Sequence, residues 1–428
     1  MDNLFHPGRI LVLPMLIILS ACATTEIRPT ETLIKESPNQ ITPSLEIGSP
    51  TETRTSTITS EPTMTATPVE YHLVDWKEPL EVIGPDNIDK VEKVGELVFE
   101  NFIYRFSWSP DGLRFGVSNN GYIFIMNSKT FSRQLKVGGS FIAFSYDGKI
   151  VETDEYRYYF ETGEQVETGY LNQYRGGIRD IEFSPNGEYL ASSGAEYIQI
   201  YPMNDNIEFA QFGRYAWSTF HISVSMDSKI IAVNSAEDTF TELWDPYRQK
   251  PIRILKLKGI YGQGKPRFSK DGVSLFFTGI GLWDEQESSF LQEWDYRTGK
   301  PLDVQLLPEI VMDYVSPFDL SPTSSVVAFG TRGGNIFIMP LRNCGAIQIN
   351  TINQSRDPVD MVAFRPDGKV IATTGISNKK IDLWGIPSSN VNEPTVKITE
   401  TPTACPNIPM IVEYPTPKTD WWSLGPPL

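Results

Sequence analysis

The sequence predicts an all-β fold built from seven successive copies of one small antiparallel sheet. Three observations carry this expectation: a short phrase that recurs seven times, apolar runs on both sides of each copy, and a turn-rich composition. Among 428 residues there are 32 Gly and 32 Pro, with 12% aromatic and only 21% charged side chains. Such a mixture suits many short strands joined by turns better than it suits helices.

The phrase is an apolar residue followed by Ser-x-Asp-Gly or a variant. It stands at Phe106–Gly112, Phe144–Gly148, Phe183–Gly187, Val224–Ser228, Phe268–Gly272, Leu320–Ser324 and Phe364–Gly368. Its third turn position falls at 111, 147, 186, 227, 271, 323 and 367, giving spacings of 36, 39, 41, 44, 52 and 44 residues. Four short strands with their turns occupy about 40 to 45 residues, the length of one propeller blade. Asp or Asn followed by Gly supplies the positive φ angles of a tight hairpin, and the Ser hydroxyl can bond back to the turn. A second strand follows each turn, as at Tyr189–Ser193, Ile230–Asn234, Val326–Gly330 and Val370–Thr374. A third follows at Tyr122–Met126, Tyr197–Tyr201, Ile336–Met339 and Lys380–Trp384. Both sets are rich in residues that favour pleated, buried strands.

Leu243-Trp244-Asp245, Glu293-Trp294-Asp295 and Leu383-Trp384-Gly385 close third strands. With them, about three quarters of the chain resembles the WD-repeat propellers. The resemblance implies a seven-bladed β-propeller of four-stranded antiparallel blades. The family's Gly-His dipeptide and its Asp between the second and third strands are missing, so its buried hydrogen-bond network is not carried over. The last blade needs an outer strand, because an open blade exposes a strand edge and its apolar faces. Residues 94–100, after a turn and short helix at Ile83–Lys90, are expected to close blade seven, as WD-repeat proteins usually do. Val396–Ile398 is the alternative.

Outside the repeats, residues 1–21 read as a lipoprotein signal peptide. Ile10–Leu19 is an apolar run of ten, about half of what crosses a bilayer. Leu19-Ser20-Ala21-Cys22 resembles the lipobox of bacterial lipoproteins, which implies lipidation of Cys22 and a membrane-anchored place on the extracytoplasmic face. Ordinary secretory cleavage with Cys22 incidental is the other reading. Residues 22–70 are rich in Thr, Ser, Pro and Glu and form a tether without enough apolar surface to offset ordering. Residues 71–388 are the propeller, and 389–428 form a Pro/Thr-rich tail closing on Trp421, Trp422 and Leu424.

The chemistry is bounded by what the chain carries. A net charge of -16 at pH 7 works against nucleic-acid binding. With three Cys and three His there is no soft-metal cluster, and no cofactor is expected. There is no Gly-x-Ser-x-Gly elbow or phosphate-binding loop, and Ser377-Asn-Lys-Lys380 falls in a turn where a Ser-x-x-Lys helix has no place. No catalytic residue is assigned. His72 and His221 read as packed or rim residues. Trp283–Glu287 lengthens blade five and reads as a solvated acidic loop, with calcium the alternative. Cys344 and Cys405 either form a disulfide or stay as independent thiols.

Residues just before each first strand gather on one face of a propeller. Here they are Tyr104, Arg105, Tyr174, Arg175, Tyr215, Trp217, Tyr261, Asp313, Tyr314, Arg356 and Asp357. Tyr, Trp and Arg dominate interface energetics, although strand-start aromatics also pack blades together. The expected function is a monomeric, non-catalytic protein-interaction scaffold whose partner is a protein or a cell-envelope polymer. The rival is a carbohydrate-binding or hydrolytic propeller with carboxylates drawn from distant strands.

Overall fold

The computed structural model describes residues 70–388 except positions 79, 141–142, 155, 168–177, 195–196, 205–207, 213–219, 236–239, 257–259, 262–263, 284–285, 308–316, 332, 342–349, 354–357 and 377. The leader, Cys22, most of the tether, the tail, Cys344 and Cys405 lie outside the described residues.

Seven antiparallel sheets succeed one another as blades. Blade one is Ile103–Trp108, Arg114–Asn119, Tyr122–Asn127 and Arg133–Gly138. Blade two is Ala143–Phe144, Ile150–Glu152, Tyr156–Tyr159 and Gln165–Glu167. Blade three is Ile178–Phe183, Tyr189–Gly194, Ile198–Pro202 and Ala210–Phe212. Blade four is Phe220–Val224, Ile231–Ser235, Thr241–Asp245 and Lys250–Leu255. In blade five the first strand is split into Ile260–Tyr261 and Arg267–Phe268, both paired to Leu275–Trp283, with Gln286–Asp295 and Lys300–Leu306 outside it. Blade six is Phe318–Leu320, Val326–Gly330, Asn335–Pro340 and Asn350–Asn353. Blade seven begins with Val359–Phe364, Val370–Gly375 and Lys380–Pro387.

First strands of neighbouring blades touch: Ile178–Phe183 meets Phe220–Val224, and Val359–Phe364 meets both Phe318–Leu320 and Ile103–Trp108. First strands therefore line the axis of a seven-bladed propeller. Between blades the apolar faces interlock. Phe277, Phe290 and Trp294 of blade five, for instance, pack on Ala232 and Leu243 of blade four. In blade five the middle hairpin is long, with Leu275–Trp283 and Gln286–Asp295 paired as far as Trp283 and Gln286, and the Asp284 and Glu285 of the expected acidic loop lie outside the described residues.

The recurring turns have one conformation, which differs from the expected one. Positive φ falls only on the fourth position, at Gly112, Gly148, Gly187, Gly272 and Gly368 (67 to 72°) and at Ser228 and Ser324. The Asp before it is spared the left-handed region and serves as an acceptor. Ser109, Ser145, Ser225 and Ser269 donate their hydroxyls to the following Asp at 2.5 to 2.7 Å. The same carboxylates accept the N–H of Leu113, Lys149, Lys229 and Val273. This is a turn carrying one left-handed residue at its end rather than a two-residue hairpin with two. These turns define a lower face; first strands begin at the upper face.

Ring closure follows the sequence expectation with slightly earlier bounds. Glu92–Phe99 is the outer strand of blade seven, with Leu97 opposite Ile381 and Val98 opposite Lys380. Val396–Ile398 lies outside the described residues.

Candidate functional site: the channel and its upper rim

The first strands of blades one, three, four and five alternate apolar residues, which face neighbouring blades, with polar residues, which face the axis, whereas blade seven carries Ala363 and Met361 at the corresponding positions. Counting back from the apolar residue that precedes each turn, positions one and three carry Glu182 and Asp180 in blade three, Ser223 and His221 in blade four, and Arg267 and Lys265 in blade five. In blade one they are Ser107 and Arg105, and Asp319 holds the nearer position in blade six.

Asp180 sits at the centre of this set and is almost fully buried. Lys265 Nζ reaches its two carboxylate oxygens at 2.9 and 2.6 Å, and Arg105 approaches at 3.4 Å. These partners come from blades five and one, neither adjacent to blade three, so the side chains meet across the axis. Burial alone would raise the Asp180 pKa, but the charges of Lys265 and Arg105 outweigh it and hold the group well below the usual carboxylate range. Burial, reinforced by Arg267, lowers Lys265 despite its carboxylate neighbours. Burial also raises Glu182, against the pull of Lys265 and Arg267.

The carboxylates have a second task. An innermost strand has no partner on its axial edge, so its outward N–H groups need acceptors. Asp180 accepts the N–H of Ile222 at 3.2 Å, and Glu182 that of Val224 at 3.2 Å. Asp319 accepts the N–H of Phe364 at 2.8 Å while pairing with Arg267 at 3.3 Å. In each case an acid of one blade ties down the first strand of the next.

His221 Nδ1 stands 4.0 Å from Asp180. Burial, together with the nearby cations Lys265, Arg105 and Arg267, lowers its pKa to about 4, although Asp180 pulls the other way. The unfolded chain therefore takes up this proton first as pH falls. The stabilisation that depends on neutral His221 is complete above about pH 6.5 and is lost as pH drops through about 4, by at most about 3 kcal/mol. We expect the melting temperature of the wild type to fall more between pH 7 and pH 4.5 than that of His221→Gln. Parallel pH profiles for the two proteins would refute this.

Of the sequence-predicted rim, Tyr104 projects from the upper face, 59% exposed. Arg105 does not: a register shift between Ile103 and Arg105 turns it into the channel, where it bonds Asp180 and the carbonyl of Arg179. Tyr261 is described only in its backbone. Tyr174, Arg175, Tyr215, Trp217, Asp313, Tyr314, Arg356 and Asp357 lie outside the described residues. Beside Tyr104 the upper face also exposes Phe102, Tyr122 and Ile376, which reading from strand starts alone did not single out. Their loops are held together, since Asn119 Nδ2 donates to the carbonyls of Asn101 and Phe102. Likewise the N–H of Ile103 bonds the carbonyl of Asn378, and Lys379 Nζ lies 5.6 Å from the Phe102 ring centre. Among the described residues, no group of three or more His, Cys, Asp or Glu is arranged to hold a metal ion.

Residues 164–201 match the family model "WD domain, G-beta repeat". The matched stretch runs from the outer strand of blade two through the third strand of blade three. One sequence repeat thus straddles two blades, the same offset that lets an N-terminal strand finish blade seven. The fold is similar to the crystal structure of the Myceliophteria thermophila Cps50 (Swd1) β-propeller domain, with a TM-score of 0.54 and 12% identity over 69% of this chain and 99% of that one. No curated protein matches the sequence.

Proposed function

We propose that this WD-type propeller is a lipid-anchored extracytoplasmic scaffold that presents its upper face to a protein partner. The observation that carries the reading is the division of labour at the axis. Charged side chains of blades one, three and five pair with one another in the channel, while Phe102, Tyr104, Tyr122 and Ile376 stay exposed together on the upper face of blades one and seven. Large aromatic and aliphatic groups clustered on a rigid rim are what a protein interface uses as anchors. WD-type propellers are typically non-catalytic scaffolds.

The test places a photo-crosslinking residue at Tyr104 or, as a control on the lower face, at Leu113 in the full chain in its native cell. The expected result is one protein captured from position 104 and lost on Phe102→Ala, with nothing specific from position 113. Equal capture from both faces, or capture indifferent to Phe102, would reject the upper face as the interface. Anchoring has its own readout: Cys22→Ser is expected to abolish fatty-acid labelling and release the protein from the membrane fraction.

A further inference from the structure

The chain preceding the closing strand engages both boundaries of blade seven. Tyr71–Val74 pairs with Glu92–Phe99 as a fifth strand, Tyr71 opposite Phe99 and Val74 opposite Glu96. Its side chains then reach over to blade one. Glu70 pairs with Arg133 and Lys136 of the outer strand there. Tyr71 stacks on Phe99, with ring centres 5.2 Å apart, and donates its hydroxyl to the carbonyl of Phe131 at 2.7 Å. Trp76 meets the Phe131 ring edge-on at 5.0 Å. Gly95 makes the crossing close, because a Cβ there would lie 3.0 Å from the Trp76 ring and 3.2 Å from its Cα and would push Trp76 outward by a few tenths of an ångström.

Further along, the segment turns to the lower face and to blade six. Glu78 pairs with Arg365, a buried arginine that replaces the turn serine of blade seven and also donates to the carbonyl of Ser128 in blade one. Leu80–Glu81 pairs with Pro387 and Ile386. Ile83, Ile88 and Val91 are buried against Val326, Ala328, Ile336 and Ile338 of blade six together with Ile371 and Trp384 of blade seven.

We propose that residues 70–91 form a clasp, distinct from the closing strand itself, which holds both boundaries of blade seven shut and must let go before the ring can open. The exposed ion pairs at Glu70 contribute little. The aromatic contacts of Tyr71 and Trp76 and the apolar contacts of Ile83, Ile88 and Val91 carry the hold. The inference is independent of any membrane anchor.

Hydrogen exchange on the full-length chain tests it, comparing wild type with Tyr71→Ala/Trp76→Ala. The expected result is that amides of Val94–Phe99 exchange at least about tenfold faster in the variant while those of Ile231–Val233 in blade four keep their rates. Trp76→Ala alone provides a second route, since it leaves the Tyr71–Val74 pairing and every residue of the closing strand in place, and serves if the double variant fails to fold. Unchanged rates in Val94–Phe99, or an equal rise in every blade, would overturn the clasp.

Discussion

Asp180→Asn is expected to destabilise the propeller by about 3–5 kcal/mol, because it leaves Lys265 and Arg105 facing each other in the channel without their buried counter-charge. The loss has two parts. Two half-buried cations lose the carboxylate on which they converge, and the axial N–H of Ile222 loses a charged acceptor. The double variant Asp180→Asn/Lys265→Met removes the principal opposing charge as well and is expected to recover much of that loss, so the two effects should be strongly non-additive. Urea unfolding of the full chain measures all three proteins. A single variant within about 1 kcal/mol of wild type would show that the channel charges are solvated rather than coupled.

Leu97→Ala carries the second large effect. Leu97 is fully buried between Leu73 and Ile381 in the closing strand, and truncating such a side chain costs about 2–5 kcal/mol. Leu255, fully buried in the outer strand of blade four, is the matched control. The two variants should lose similar equilibrium stability, yet only Leu97→Ala loosens the join between the two ends of the ring. Limited proteolysis under native conditions is expected to cut Leu97→Ala first within residues 70–99, roughly tenfold or more faster than in Leu255→Ala. The same cleavage pattern in both would mean that the ring opens nowhere in particular.

The blades were legible because their signals are local. Ser109, Asp111 and Gly112 meet within one turn, and a seven-fold echo of that turn fixes the repeat. The closing strand could be read because the last blade visibly lacked one. The channel was hidden for the opposite reason. In most half-buried strands the polar half of an alternating pattern faces water, so Asp180, Glu182 and Lys265 look like surface residues in sequence. Their partners lie one or two blades away: Ile222 is 42 residues from Asp180, and Lys265 is 85. Only superposing the repeats brings them into register. Arg105 reads as a rim residue from its place at the start of a first strand, and the register shift that turns it inward leaves no mark in composition. The contacts of Tyr71, Trp76 and Glu78 leave no such signal, because these residues follow no repeat.

The pairing of Glu92–Phe99 with Lys380–Pro387 also sets a timetable for synthesis. The first of these segments leaves the ribosome about 290 residues ahead of its partner, a wait of roughly 15 to 60 s at ordinary elongation rates. Until both are present, wherever the chain folds, blade seven keeps an unfinished edge and the front of the chain has no strand to pair with. A product that stops short of Lys380–Pro387 lacks the strand against which Glu92–Phe99 closes the ring.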